Sequence, residues 1–313
     1  MAFSDRKISE GLDHLRLGDK CMKTSLFKWK PDYDGAAAEY SKAGVAFKNA
    51  KAYEQAINSY TKAAQAQKEN GSIFHSAKSI EAAAMIHKEQ GEFLQAADLI
   101  EKASKMYLEH GTPDTAALAL DRAAKMLDQK EPDRAVQLYI KACDVSEAED
   151  KPRQSAEYIG KAARILIRQK KYEEALPVLK RELDYLASNE NSGALNKLVL
   201  GLVLLHLHMG DYVAADQAMQ TALREYEGFA LSEEAGPIER LLEAYDQGDQ
   251  EEANRILQSP LFKYMENAFT IMARDLKVPG GGAPKPKSLV AEAFAKDQSG
   301  PPEEEDEFSG GLC

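Results

Sequence analysis

Residues 53–63 read YEQAINSYTKA, residues 93–103 FLQAADLIEKA and residues 132–142 PDRAVQLYIKA. Superposed, they set Ala56, Tyr60 and Ala63 on Ala96, Ile100 and Ala103, and these on Ala135, Tyr139 and Ala142. Lys62, Lys102 and Lys141 precede the last alanine each time. Spacings of four and seven lie on one helical face, so each segment is a helix with a seam of small residues. The pattern returns at Tyr172/Ala175, Tyr212/Ala215 and, more faintly, Gln250/Ala253, with successive alanines 40, 39, 40, 40 and 38 residues apart. A second series, Ala43, Ala83, Ala123 and Ala163, has a spacing of 40 and falls between members of the first, so each repeat holds two elements.

Breakers mark the joints. Gly71, Gly111 with Pro113, Asp150 with Pro152, and Asn191 to Gly193 close one turn, while Gly91, Glu131 with Pro132, and Gly210 close the other. The arms between them are of ordinary helix length, and no stretch alternates polar and apolar residues as a strand would. The expected fold is all-α: a tetratricopeptide-like solenoid of antiparallel helix pairs with a repeat of about 40 residues. Alanine at the same place in every repeat lets helices approach closely, and Tyr60, Tyr107 and Tyr139 fill the gaps between pairs.

The period fades at the C-terminal side. Residues 1–232 read as the solenoid; residues 233–278 keep apolar residues at helical intervals (Leu241, Tyr245, Ile256, Phe262, Phe269, Met272) and read as a bundle capping its end. Residues 279–313 carry Pro279 to Pro286, rich in Gly and Pro, then a short helix over Ser288 to Lys296 and an acidic run from Glu303 to Glu307.

Composition narrows the function. Forty bases against fifty-one acids give a net charge of -11, which repels phosphate backbones and argues against nucleic acid as a partner. The longest apolar stretch, Leu198 to Leu207, is half the length a membrane span needs and reads as a buried helix. The first ten residues lack a secretion signal's apolar core, and Cys21, Cys143 and Cys313 form no paired motif, so a reducing cytoplasmic setting without a zinc site is expected. His206 and His208 are two apart and point to different helix faces; Gly280 to Gly282 precede no Lys-Ser or Lys-Thr. Neither an enzyme nor a bound cofactor or metal is expected.

Three features exceed packing. In Lys20 to Pro31, four lysines alternate with Leu26, Phe27 and Trp29, a mix that suits a bilayer interface and equally suits covering the open edge of the first helix pair. Arg122, Lys125, Lys161, Arg164, Arg168, Lys170 and Lys171 recur on the first arms of successive repeats, either as a positive stripe or as ordinary solvated charge. The tail, acidic and then ending in Leu312 and Cys313, reads as a docking element or as a solubilising terminus.

Taken together, the 40-residue helix pairs without a Trp-x-x-Leu-Gly signature, the apolar loop near Phe27, the closing bundle and the penultimate leucine resemble the soluble NSF attachment proteins. The Gly-Gly-Gly and Pro-Lys-Pro-Lys linker and the run Glu303 to Glu307 are most similar to the gamma branch of that family. The resemblance implies an adaptor that binds the four-helix SNARE bundle of syntaxin-type proteins, touches membranes peripherally and recruits the hexameric ATPase NSF for SNARE disassembly in vesicle traffic. It implies Leu26, Phe27 and Trp29 as the membrane loop, Lys161, Arg122 and Arg164 as the SNARE face, and Leu312 as the residue coupled to NSF. A terminal cysteine in place of a base, and an acidic run several residues before Leu312, depart from the family pattern. A helical-repeat scaffold or co-chaperone holding an extended peptide is the competing reading; the first arms offer Tyr40, Ile80, Leu120 and Ile159 and few of the asparagines such a clamp uses.

Overall fold

A computed structural model describes residues 2–24 and 29–280. Every regular element among them is helical. Five antiparallel pairs follow one another: α1 (Ala2–Met22) with α2 (Tyr33–Asn49), α3 (Tyr53–Glu69) with α4 (Ile73–Glu89), α5 (Phe93–Glu109) with α6 (Pro113–Leu127), α7 (Pro132–Ala148) with α8 (Pro152–Arg168), and α9 (Tyr172–Ser188) with α10 (Ser192–His208). Then come α11 (Tyr212–Glu225), a 3-10 turn (Phe229–Leu231), α12 (Ala235–Asp246), α13 (Gln250–Leu257), α14 (Pro260–Lys263) and α15 (Asn267–Asp275).

Both alanine series are solvent-free. Ala56, Ala96, Ala135, Ala175, Ala215 and Ala253 are fully buried, as are Ala43, Ala83, Ala123 and Ala163. Small side chains there let helix faces approach closely, and the tyrosines expected to fill the gaps, Tyr107 above all, are buried as well. From α2 to α11 every turn between helices except that between α6 and α7 places one residue in the left-handed region, which glycine enters without steric cost: Gly71, Gly91, Gly111 and Gly210 have φ of 77°, 81°, 81° and 78°. Where the sequence has no glycine the turn is kept at a cost. Lys51, Asp150, Lys170 and Glu190 adopt φ of 59°, 53°, 60° and 56°, so two joints that glycine and proline do not signal, at Lys51 and Lys170, use the same geometry.

Helix α10 is apolar nearly all round because it is packed all round. On one side Gly201 receives the Phe269 ring of α15 so closely that an added Cβ would stand 2.6 Å from it. On another, Tyr245 of α12 donates its hydroxyl proton to the Leu207 carbonyl at 3.0 Å. The closing helices therefore fold back on the last repeats, and one apolar core runs from Ala64 to Val278. Cys143 is buried in it with its Sγ 3.6 Å from the Tyr185 hydroxyl, a packing residue as expected.

Candidate functional site

Ion pairs lace each repeat to the next at a separation close to one repeat. Glu81 of α4 holds Arg122 of α6, and Asp121 of α6 accepts from Lys161 of α8 at 2.8 Å. Asp128 pairs with Arg168 one repeat on. Among the second arms, Glu101 of α5 takes Lys141 and Arg134 of α7, both at 2.5 Å, and Asp144 and Glu147 of α7 take Arg181 of α9 at 2.8 and 2.5 Å. In all of these the acid belongs to the earlier repeat and the base to the later; Lys48 with Glu89 runs the other way. Exposed pairs contribute little singly, yet a direction shared by most rungs favours one placement of each helix pair on the next.

This ladder revises the positive stripe. Arg122, Lys125, Lys161, Arg164, Arg168 and Lys171 each carry a carboxylate, so the face is a mosaic of both signs. Lys161 serves Asp121 and Glu157 together, the latter at 2.6 Å, and lies beside the Tyr158 ring at 5.2 Å. Burial opposes its charge, but hydrogen bonds to the two carboxylates outweigh it and hold the ammonium above the usual lysine range. A groove of about 370 Å³ lies along these residues, lined by Lys161, Arg164, Arg168, Glu182 and Glu266.

Arg164 departs furthest from the expected role. Its side chain is 18% exposed, against 52% for Arg122. Its guanidinium donates to Glu182 of α9 and to a second carboxylate, Glu266, at 2.6 Å from Nε and 3.1 Å from one Nη, with the Phe269 ring 4.9 Å away. Arg164 is thus a clasp between α8, α9 and the closing bundle, and offers little free surface to a partner. Burial pushes the Glu182 carboxyl up, with Arg164 pulling it back; Arg164 holds the more open Glu266 below the ordinary range. Gly160 makes room for the clasp, since a Cβ there would sit 2.7 Å from Glu182 Oε1.

Trp29 is 88% exposed, so it covers no edge of the first helix pair. Leu26, Phe27 and Leu312 lie outside the described residues. His206 and His208 point apart as expected, His206 towards α9 and α11 and His208 edge-on to Tyr172 at 5.0 Å. No group of three or more potential metal ligands occurs among the described residues, and none of their helices is long and apolar enough to cross a membrane. The residues missed from sequence are the acids Glu81, Asp121, Glu182 and Glu266. For the first two the signal was present: a carboxylate with a base one repeat later.

The chain is similar to known proteins over most of its length. The profile described as soluble NSF attachment protein, SNAP, matches residues 10–259. A gamma-soluble NSF attachment protein of Dictyostelium discoideum is 29% identical over 275 residues, 88% of this chain and 84% of its own. One of Arabidopsis thaliana is 28% identical over 150 residues, 48% of this chain and 51% of its own. Among solved structures, BtubC (BKLC) from P. vanneervenii aligns with 71% of this chain and 90% of its own at TM-score 0.35 and 15% identity.

Proposed function

Because this chain belongs to the soluble NSF attachment protein family, we propose that it is an adaptor, not an enzyme, that holds a SNARE four-helix bundle against its repeat face and brings the NSF ATPase to it. The observation that carries this reading is the extent of the match, residues 10–259, which takes in the solenoid and most of the closing bundle. The match ends before α14 and α15.

The mosaic face sets the character of the contact. Arg122, Lys125 and Arg168 are the ion-paired cations of this face with most open surface, and each must share its charge between its own carboxylate and an acidic partner. Such a face attracts an acidic rod weakly and in a salt-sensitive way, and several copies around one rod raise the affinity by avidity. Lys161 contributes its charge from a half-buried position, whereas Arg164 acts on the face indirectly by holding the bundle in place. The directional ladder suits a body that transmits torque, since it resists sliding of one helix pair over the next.

Trp29, with Leu26 and Phe27 beside it in sequence, is the membrane contact in this reading, and Leu312 the link to NSF. The protein is then cytoplasmic and peripheral on membranes. Mixing it with a preformed SNARE complex, NSF and ATP tests the proposal: SNARE disassembly should depend on the added chain. Disassembly at the same rate without it, or no co-sedimentation with SNARE complex at low salt, overturns the proposal. Charge reversal at Arg122 and Lys125 should weaken SNARE binding most at low salt, and Leu312→Ala should cut stimulated ATP hydrolysis while leaving SNARE binding intact.

A further inference from the structure

The ladder stops at α9. Asp184 stands where Asp144 stands one repeat earlier, but the position matching Arg181 is Thr221, so this rung has an acid and no base. Asp184, Glu190 and Glu227 make no ion pair among the described residues, and Glu225 has only its neighbour Arg224. They rim two adjoining hollows of about 880 and 410 Å³ between α9, α10 and α11, which share Asp184, Glu225 and Tyr226. Leu183, Leu195, Val199 and Tyr226 are among the lining residues, and Lys180 is the one lysine or arginine with them. Burial and the carboxylates of Asp184 and Glu225 push the Tyr226 hydroxyl up, as a local negative potential does. His206, 6% exposed, lines the same groove with its Nδ1 lacking a hydrogen-bond partner.

We propose that this groove is the docking site of the chain's own C-terminal segment, residues 285–296, KPKSLVAEAFAK. The segment has the complementary chemistry. Written as a helix from Ser288, it brings Leu289, Val290, Ala293 and Phe294 to one face, and it carries Lys285, Lys287 and Lys296 against the single acid Glu292. One of these lysines supplies the cation that Thr221 does not. The described chain ends at Gly280, just after Val278, whose N–H donates to Gln250 and which lies with His208 at the C-terminal end of α10. Residues 281–287 reach at most about 24 Å, and His206, which lines the groove, is two residues from His208 on α10. Docked this way, the segment seals the solenoid where its packing opens and fixes the point from which the acidic tail departs. The proposal does not depend on the SNARE reading.

The test uses the full chain with a photo-cross-linking amino acid in place of Phe294, which lies outside the described residues, and maps adducts by mass spectrometry. Adducts within the chain should fall on α9 to α11, between Leu183 and Tyr226. In the Asp184→Lys, Glu225→Lys variant their yield should drop roughly tenfold, the factor for turning one or two exposed attractions into repulsions. Both positions are exposed, and unchanged circular dichroism would show the variant folded. Adducts on another surface, adducts only to a second copy, or a yield indifferent to the charge reversal would overturn the proposal.

Discussion

Helices α1 to α9 and helices α10 to α15 are held together by different means. The repeats rely on alanine seams of constant period and on carboxylates that reach one repeat forward, as Asp121 does to Lys161. The closing region relies on irregular apolar packing, such as Phe269 seated on Gly201, and on a single ionic clasp at Arg164. A periodic sequence can distribute its register over many weak contacts, each expendable. An end that must stop the period has few contacts, so each carries more.

The sharpest way to break this contrast is Arg164→Ala. It strands Glu182 in the core beside Gly160, and should cost about 3–5 kcal/mol, the usual penalty for an unpaired buried charge. Urea unfolding reads the loss, and hydrogen exchange should rise first in α15. Pairing Arg164→Met with Glu182→Leu should return most of that stability, because an apolar pair of similar volume replaces a desolvated ion pair. A clasp that merely decorates the surface would show neither effect.

Gly201→Ala comes next. Its Cβ would meet Phe269 at 2.6 Å, and overpacking of this kind costs about 1–3 kcal/mol, again loosening the bundle rather than the repeats. Within the ladder the effects shrink. Asp121→Ala releases both Lys125 and Lys161, yet the lysines regain water and the loss should be roughly 1 kcal/mol.

Acid tests the ladder as a whole. Lys141 and Arg134 hold Glu101 below its ordinary value of 4.5 against the opposing pull of burial, and hydrogen bonds from Lys171 and Gln169 lower Asp133. A carboxyl lowered in the folded state stabilises it above the unfolded value, and that contribution disappears as pH falls through the folded one. The urea midpoint should therefore decline as pH drops below about 4.5, and Glu101→Gln should flatten the decline. The smallest effect on stability belongs to Trp29→Ser, within about 0.5 kcal/mol for so exposed a side chain. Liposome-dependent SNARE disassembly should nevertheless fall, and equal loss with and without liposomes would remove the membrane role.

Much of the repeat was legible in the sequence. Ala43, Ala83, Ala123 and Ala163 announce their burial by spacing, and Gly71 and Gly111 announce their turns because few other residues enter the left-handed region readily. The candidate face was legible only in part. Arg122, Lys161 and Arg164 all lie on the first arms of successive repeats, but their exposure differs because the bundle covers one and leaves another open. No sequence separation announces Glu266, 102 residues from Arg164, as its partner.

The sequence alone determined helix pairs, their period, their direction and the place where the period fails, since these follow from one-dimensional spacing and local backbone preference. Tertiary structure alone decided which charges are free. Whether a guanidinium faces water or a carboxylate depends on chain ends folding back across the repeat, and that return path is written in shape and packing rather than in any local pattern.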